Sequence, residues 1–94
     1  MIKQLQQQIN TLVSRQKDLQ LQMGSLDYIN NKISDAYYLH GASAAREVAA
    51  GYRSQMEQRE AWREEFNRNE TLIAGLKTQL AEAQAQAAGE NMED

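Results

Sequence analysis

Two stripes of apolar residues run the length of the chain. The first occupies positions 2, 5, 9, 12, 16, 19, 23, 26, 30, 33, 37 and 40, from Ile2 to His40. The second occupies positions 45, 48, 52, 55, 59, 62, 66, 69, 73, 76, 80, 83 and 87, from Ala45 to Ala87. Both step alternately by three and four, the heptad spacing of helices that pack along a seam. Between the stripes, the first segment is filled mainly with Gln, Lys, Asp, Ser and Asn, as a solvated helix face requires. The pattern therefore predicts an all-α fold: an antiparallel two-helix hairpin, or intrachain coiled coil.

The boundaries follow from local chemistry. Gly24-Ser25 weakens the first stripe, but Met23 and Leu26 stay in phase, so one helix is expected over residues 2–40. A glycine there costs about 1 kcal/mol relative to alanine. His40-Gly41-Ala42-Ser43 is a stop-and-start signal. Gly41 suits the left-handed residue that ends a helix, and Ser43 suits the N-cap of the next. The turn is placed at 41–43 and the second helix at 44–88. Gly89 closes the hairpin, and residues 90–94, Glu90-Asn91-Met92-Glu93-Asp94, read as an acidic flexible tail.

One register aligns the two stripes. It sets Leu5 opposite Leu80, Ile9 opposite Leu76, Leu12 opposite Ile73, Leu19 opposite Phe66 and Met23 opposite Trp62. Further along it sets Ile33 opposite Tyr52 and Tyr37 opposite Val48. The polar exceptions coincide too, with Gln16 opposite Asn69 and Asn30 opposite Gln55. A buried amide is costly unless another polar group satisfies it, and paired amide layers are a device for fixing register. Arg59 is the mismatch, opposite Leu26. Its stem can pack in the seam while its guanidinium reaches Asp27. Because a single seam buries little for 94 residues, dimerisation into a four-helix bundle is expected.

Composition narrows the chemistry. With no Cys and no Pro, the chain has no disulfide framework or thiolate metal site, and long helices meet no proline. A formal net charge of −3 argues against a general nucleic-acid binder, although Lys3, Arg15, Lys17 and Lys32 lie on the first helix. No apolar run approaches the ~20 residues of a membrane span, and Met1 to Gln6 shows no signal-peptide core, so a cytoplasmic protein is expected. His40 is the single histidine, without companion metal ligands at helical spacing. The sequence carries no phosphate-binding loop and no nucleophile–base pair. Asn69-Glu70-Thr71 matches a glycosylation sequon but lies in the seam. Catalytic, metal and cofactor residues are therefore expected to be none, and the chain is read as not an enzyme.

Function is left to the surface. Leu21 and Tyr28, with Ile29 beside them, are apolar positions off the seam of the first helix, and Tyr38 and Leu39 flank the turn. These five are the expected partner-binding residues. Val13, Ile29, Met56 and Leu72 flank the seam and could widen it into a bundle contact. The outer face of the second helix carries Arg53, Glu57, Glu60, Arg63, Glu64 and Arg68, a solvated face with intrahelical pairs such as Glu64–Arg68. The reading is a non-enzymatic protein–protein interaction module, an adaptor, chaperone or inhibitor of the kind found among phage-type accessory proteins, bound to another protein or to itself. A self-assembling structural coiled coil is the alternative. Leu39-His40-Gly41 also resembles the Trp-x-Gly turn of the small WXG-type secreted hairpins, with Leu39 in the tryptophan position. That resemblance covers the turn and the architecture and implies an exported helical hairpin. The Tyr-based export signal of that family is not found in residues 90–94.

Overall fold

The structure is a computed structural model that describes the backbone of residues 1–93 and the side chains of residues 1–89. The acidic tail expected at residues 90–94 lies outside the described side chains. The described residues form an all-helical fold of four helices in chain order: α1 (Ile2–Gly24), α2 (Tyr28–His40), α3 (Ala42–Gly51) and α4 (Arg53–Glu93). None of the described residues forms a strand, and no helix is long and apolar enough to cross a membrane. Each expected long helix is thus divided in two, and the chain gathers into two compact units, residues 1–18 with 66–94 and residues 19–65.

In the first unit, α1 and α4 run antiparallel. Leu5 lines one groove with Gln79 and Glu82, and Leu12 lines another with Leu72 and Leu76. Leu5, Ile9 and Ile73 are buried between them. Gln16 and Asn69 are buried as well, as the stripes require. Gln16 Nε2 donates to the Phe66 carbonyl at 3.0 Å and to Glu70 Oε1 at 2.8 Å, which spends both of its amide hydrogens on α4. Its Oε1 is buried and has no hydrogen-bond partner. Gln16 thus ties α1 to α4 by two donated bonds.

The second unit holds α2 packed antiparallel along α3, with the adjoining ends of α1 and α4. Leu19 and Ile29 are its fully buried side chains, and α3 buries none. Trp62, expected in the core, is half-buried.

The interruption between α1 and α2 begins with Ser25. Its hydroxyl donates to the Gln22 carbonyl at 2.6 Å and takes the acceptor that the Leu26 N–H would use in a continuous α-helix. The Leu26 N–H turns instead to the Met23 carbonyl, and Asp27, Ile29 and Asn30 donate to Gly24, Leu26 and Asp27. All four bonds reach back three residues. This is 3₁₀ geometry, with about three residues per turn, so positions three apart eclipse. Met23, Leu26 and Ile29 consequently share one face. The inward stripe continues as Ile29, Ile33 and Ala36, while Asn30 and Tyr37 are exposed.

Three expectations are corrected by this slip. Helix 2–40 is not continuous. Ile29, expected at a position flanking the seam and among the partner-binding residues, is 2% exposed and belongs to the core. Asn30 and Gln55 are both exposed and form no buried amide layer. Ile29 and Met56, one residue away on each side, line a small cavity together with Leu26, Asn30, Arg59 and Glu60. Leu26 and Arg59 stay opposite each other as the register requires, and the expected second amide layer does not form.

The turn and second helix also differ from expectation. Gly41 alone joins α2 to α3. Its φ of 91° and ψ of −177° place it in a region open essentially to glycine alone, rather than in the left-handed helical region. α3 starts at Ala42 without a side-chain cap, so Ser43 lies inside the helix. A second interruption falls at Tyr52, with φ −107° and ψ 15°. Its N–H donates to the Ala49 and Ala50 carbonyls, which tightens the end of α3 just after Gly51. Arg59 behaves as its position predicts: its guanidinium Nη2 lies 3.1 Å from Asp27 Oδ1. Asp27 spends its carboxylate there and makes no side-chain cap for α2.

Candidate functional site

The last turn of α2 gathers Tyr37, Tyr38 and Leu39 at the closed end of the α2–α3 hairpin. They are 53%, 83% and 74% exposed. The two rings meet edge to face, with centroids 5.6 Å apart and planes at 84°. This arrangement sets the positive edge of one ring on the negative face of the other. The backbone beneath them is fixed from both sides. The Gly41 N–H donates to the Tyr37 carbonyl at 2.8 Å, and the Gly41 carbonyl accepts the Ala45 N–H at 3.2 Å. One glycine therefore closes α2 and starts α3, and the three side chains project from a rigid tip.

The phase slip between α1 and α2 creates this surface. An unbroken heptad would place Tyr37 in the seam against Val48. The 3₁₀ turn gives that inward place to Ala36 and leaves the Tyr37 ring outside. The small Ala36 also faces an alanine-rich helix, since Ala44, Ala45 and Ala49 are the half-buried partners on α3 with Val48.

The expected partner-binding residues separate into distinct environments. Tyr38 and Leu39 are on the tip. Leu21 is exposed on α1, 75% accessible. Tyr28 begins α2, and its ring packs edge to face on Tyr52, with centroids 5.8 Å apart. It is thereby drawn across the helix pair and does not extend a face with Leu21. Ile29 is in the core and is removed from the site. Tyr37, which the stripes set opposite Val48 although it belongs to the tip, is exposed. The signal that could have shown this is the Gly24-Ser25 pair, because a serine hydroxyl able to divert a helix carbonyl is a local cause of a phase change.

The grooves are shallow. A representative one, of about 760 Å³, runs beside the α1–α4 seam and is lined by Gln4, Gln7, Gln8, Thr11, Leu12, Leu72 and Leu76. Amides, one hydroxyl and leucines supply hydrogen bonds and contact area there. No group of three or more His, Asp or Glu side chains converges among the described residues. The charged outer face of α4 forms the intrahelical pairs Arg53–Glu57 at 3.8 Å and Glu60–Arg63 at 3.4 Å.

Comparison of the chain with family models, with curated proteins and with solved structures finds no match.

Proposed function

We propose that this chain is a non-enzymatic protein-binding module that docks its Tyr37-Tyr38-Leu39 tip on a larger protein. The observation that carries this reading is three consecutive large side chains, each more than half exposed, on a backbone held by Gly41. Exposed apolar residues scattered singly are ordinary, whereas the touching Tyr37 and Tyr38 rings, with Leu39 next along the chain, concentrate exposed apolar area at one end of the hairpin. Tyrosine is also favoured at binding hot spots, because it offers a wide apolar ring with a polar end at small entropic cost. Of the residues expected from the sequence, Tyr38 and Leu39 stay in this site, Tyr37 joins them, and Leu21 and Tyr28 serve as flanking surface.

The flanks of the helix pairs remain for self-association. Two copies packed side by side would complete a four-helix bundle around a chain whose own helices bury few side chains. Such a dimer leaves the tip uncovered.

The test of tip docking is affinity capture from the native host with mass spectrometry, using the intact chain, a Tyr38→Asp/Leu39→Asp variant and a Leu72→Asp control. The expected result is a protein captured by the intact chain and the control and lost with the tip variant, at unchanged helical circular dichroism. Equal capture by all three would refute tip docking.

A further inference from the structure

Gly41 alone separates α2 from α3, and the break it makes in the helical ladder is small. The Gly41 N–H donates to the Tyr37 carbonyl and the Ala45 N–H to the Gly41 carbonyl, and both bonds reach back four residues, as in an α-helix. Turning Gly41 to helical angles keeps both. It adds three more, from the N–H groups of Ala42, Ser43 and Ala44 to the carbonyls of Tyr38, Leu39 and His40. In the turn no side chain caps α3. The residues after Gly41, Ala42-Ser43-Ala44-Ala45, include three alanines, the best helix former. Ala36, Ala44 and Val48 are half-buried and, with His40 between them, step by four, the spacing of one ridge on a continuous helix. α3 buries no side chain, so its pairing with α2 resists separation weakly.

We propose that this chain exchanges halves with a second copy of itself. Gly41 straightens, α2 and α3 join, and the α1–α2 half of each copy packs on the α3–α4 half of its mate. Each compact unit draws on both halves of the chain, so each is rebuilt twice in the dimer. Register fixes the occupant. Another copy carries the Phe66 carbonyl and the Glu70 carboxylate at the spacing Gln16 needs, and Arg59 where Asp27 needs it. Every seam contact of the hairpin is thus available between copies, and the difference lies at the turn. A connection of one residue leaves the hairpin no slack. Short hinges favour such swapping and longer ones oppose it.

Exchange is distinct from side-by-side packing of hairpins, which keeps the turn. It removes the turn on which Tyr37, Tyr38 and Leu39 stand. On the tip-docking reading above, the single chain is then the binding form and the exchanged dimer the silent one, although exchange itself does not depend on that reading.

The experiment sizes three full-length chains by light scattering from micromolar to millimolar concentration, with circular dichroism to check helicity. They are the intact chain, Gly41→Ala, and a chain with Gly-Ser-Gly-Ser inserted after Gly41. The intact chain is expected to pass from its 10.7 kDa mass to twice that mass as concentration rises. Gly41→Ala penalises the turn in each of the two hairpins and favours the straight helix, so it is expected to lower the midpoint about thirtyfold or more. The insertion is expected to stay monomeric. A second readout separates exchange from packing of intact hairpins. The chain has no cysteine, so Asp27→Cys and Arg59→Cys, made in separate chains, carry unique thiols. Refolded together at the dimer concentration and treated with a short bismaleimide, they are expected to give a covalent 27–59 product and no 27–27 or 59–59 product. Hairpins packed side by side keep the 27–59 contact within each chain and lack that selectivity. A dimer without the selective product, an insertion variant that dimerises as readily as the intact chain, a helical Gly41→Ala whose midpoint does not fall, or an intact chain monomeric throughout would each overturn the proposal. If Gly41→Ala loses helicity, the intact chain, the insertion and the crosslink decide the question.

Discussion

Gly41 carries a conformational demand that no other described residue shares. It is the single positive-φ position, and it lies in a region that costs a side-chain-bearing residue about 1–3 kcal/mol. A Cβ there would touch nothing within 4 Å, so the penalty is one of backbone alone. Gly75 is the opposite case, an interior residue of α4 with equally open space around it. Gly41→Ala is therefore expected to destabilise by about 1–3 kcal/mol, and Gly75→Ala to stabilise by about 0.5–1 kcal/mol. Urea denaturation followed by circular dichroism measures both, and equal effects would contradict this account of the turn. Gln16 is the other residue with a definable cost. Its unpartnered buried oxygen forfeits about 1–3 kcal/mol. That loss is tolerable because the two donated bonds hold the antiparallel register against slippage.

The short segment between α1 and α2 decides which residues are core. Ser25 diverts one carbonyl, four three-residue bonds follow, and the inward face passes from position 30 to position 29. The consequence is measurable. Ile29→Ala is expected to cost about 2–5 kcal/mol, as truncation of a buried aliphatic chain does. Asn30→Ala is expected to change stability by no more than about 0.5 kcal/mol, as at an exposed position. An uninterrupted heptad requires a different ranking, with the cost at Asn30, so denaturation midpoints of the two variants separate the geometries. The sequence made the seam of α1 and α4 legible because Leu5, Ile9, Gln16, Asn69 and Ile73 keep strict spacing, and the Thr11, Thr71 and Thr78 hydroxyls that bond carbonyls four residues back leave their helices unbroken. The α2 register was less legible. Heptad counting assumes a constant number of residues per turn, and a single side-chain hydrogen bond changed that number for one turn. Tyr52 shows the same limit: its stripe position is half-buried as expected, but the spacing carries no sign of the break there, where the Tyr28 ring packs against it.

For the whole molecule, the sequence specified an all-helical chain of antiparallel pairs. It set Tyr37 in the seam and Ile29 beside it, and their exchanged burial follows from the one slipped turn. The functional reading depends on that exchange, because it turns two exposed neighbours into a three-residue patch on a fixed backbone. The central claim is that this patch is where a partner protein binds. The most direct measurement places a photo-crosslinking amino acid at position 38, and in separate chains at positions 21 and 72, and irradiates each in native-host extract. The account predicts one discrete protein adduct at position 38 that is absent at position 72 and weaker at position 21. Equal adducts at all three positions, or none at position 38, would contradict it.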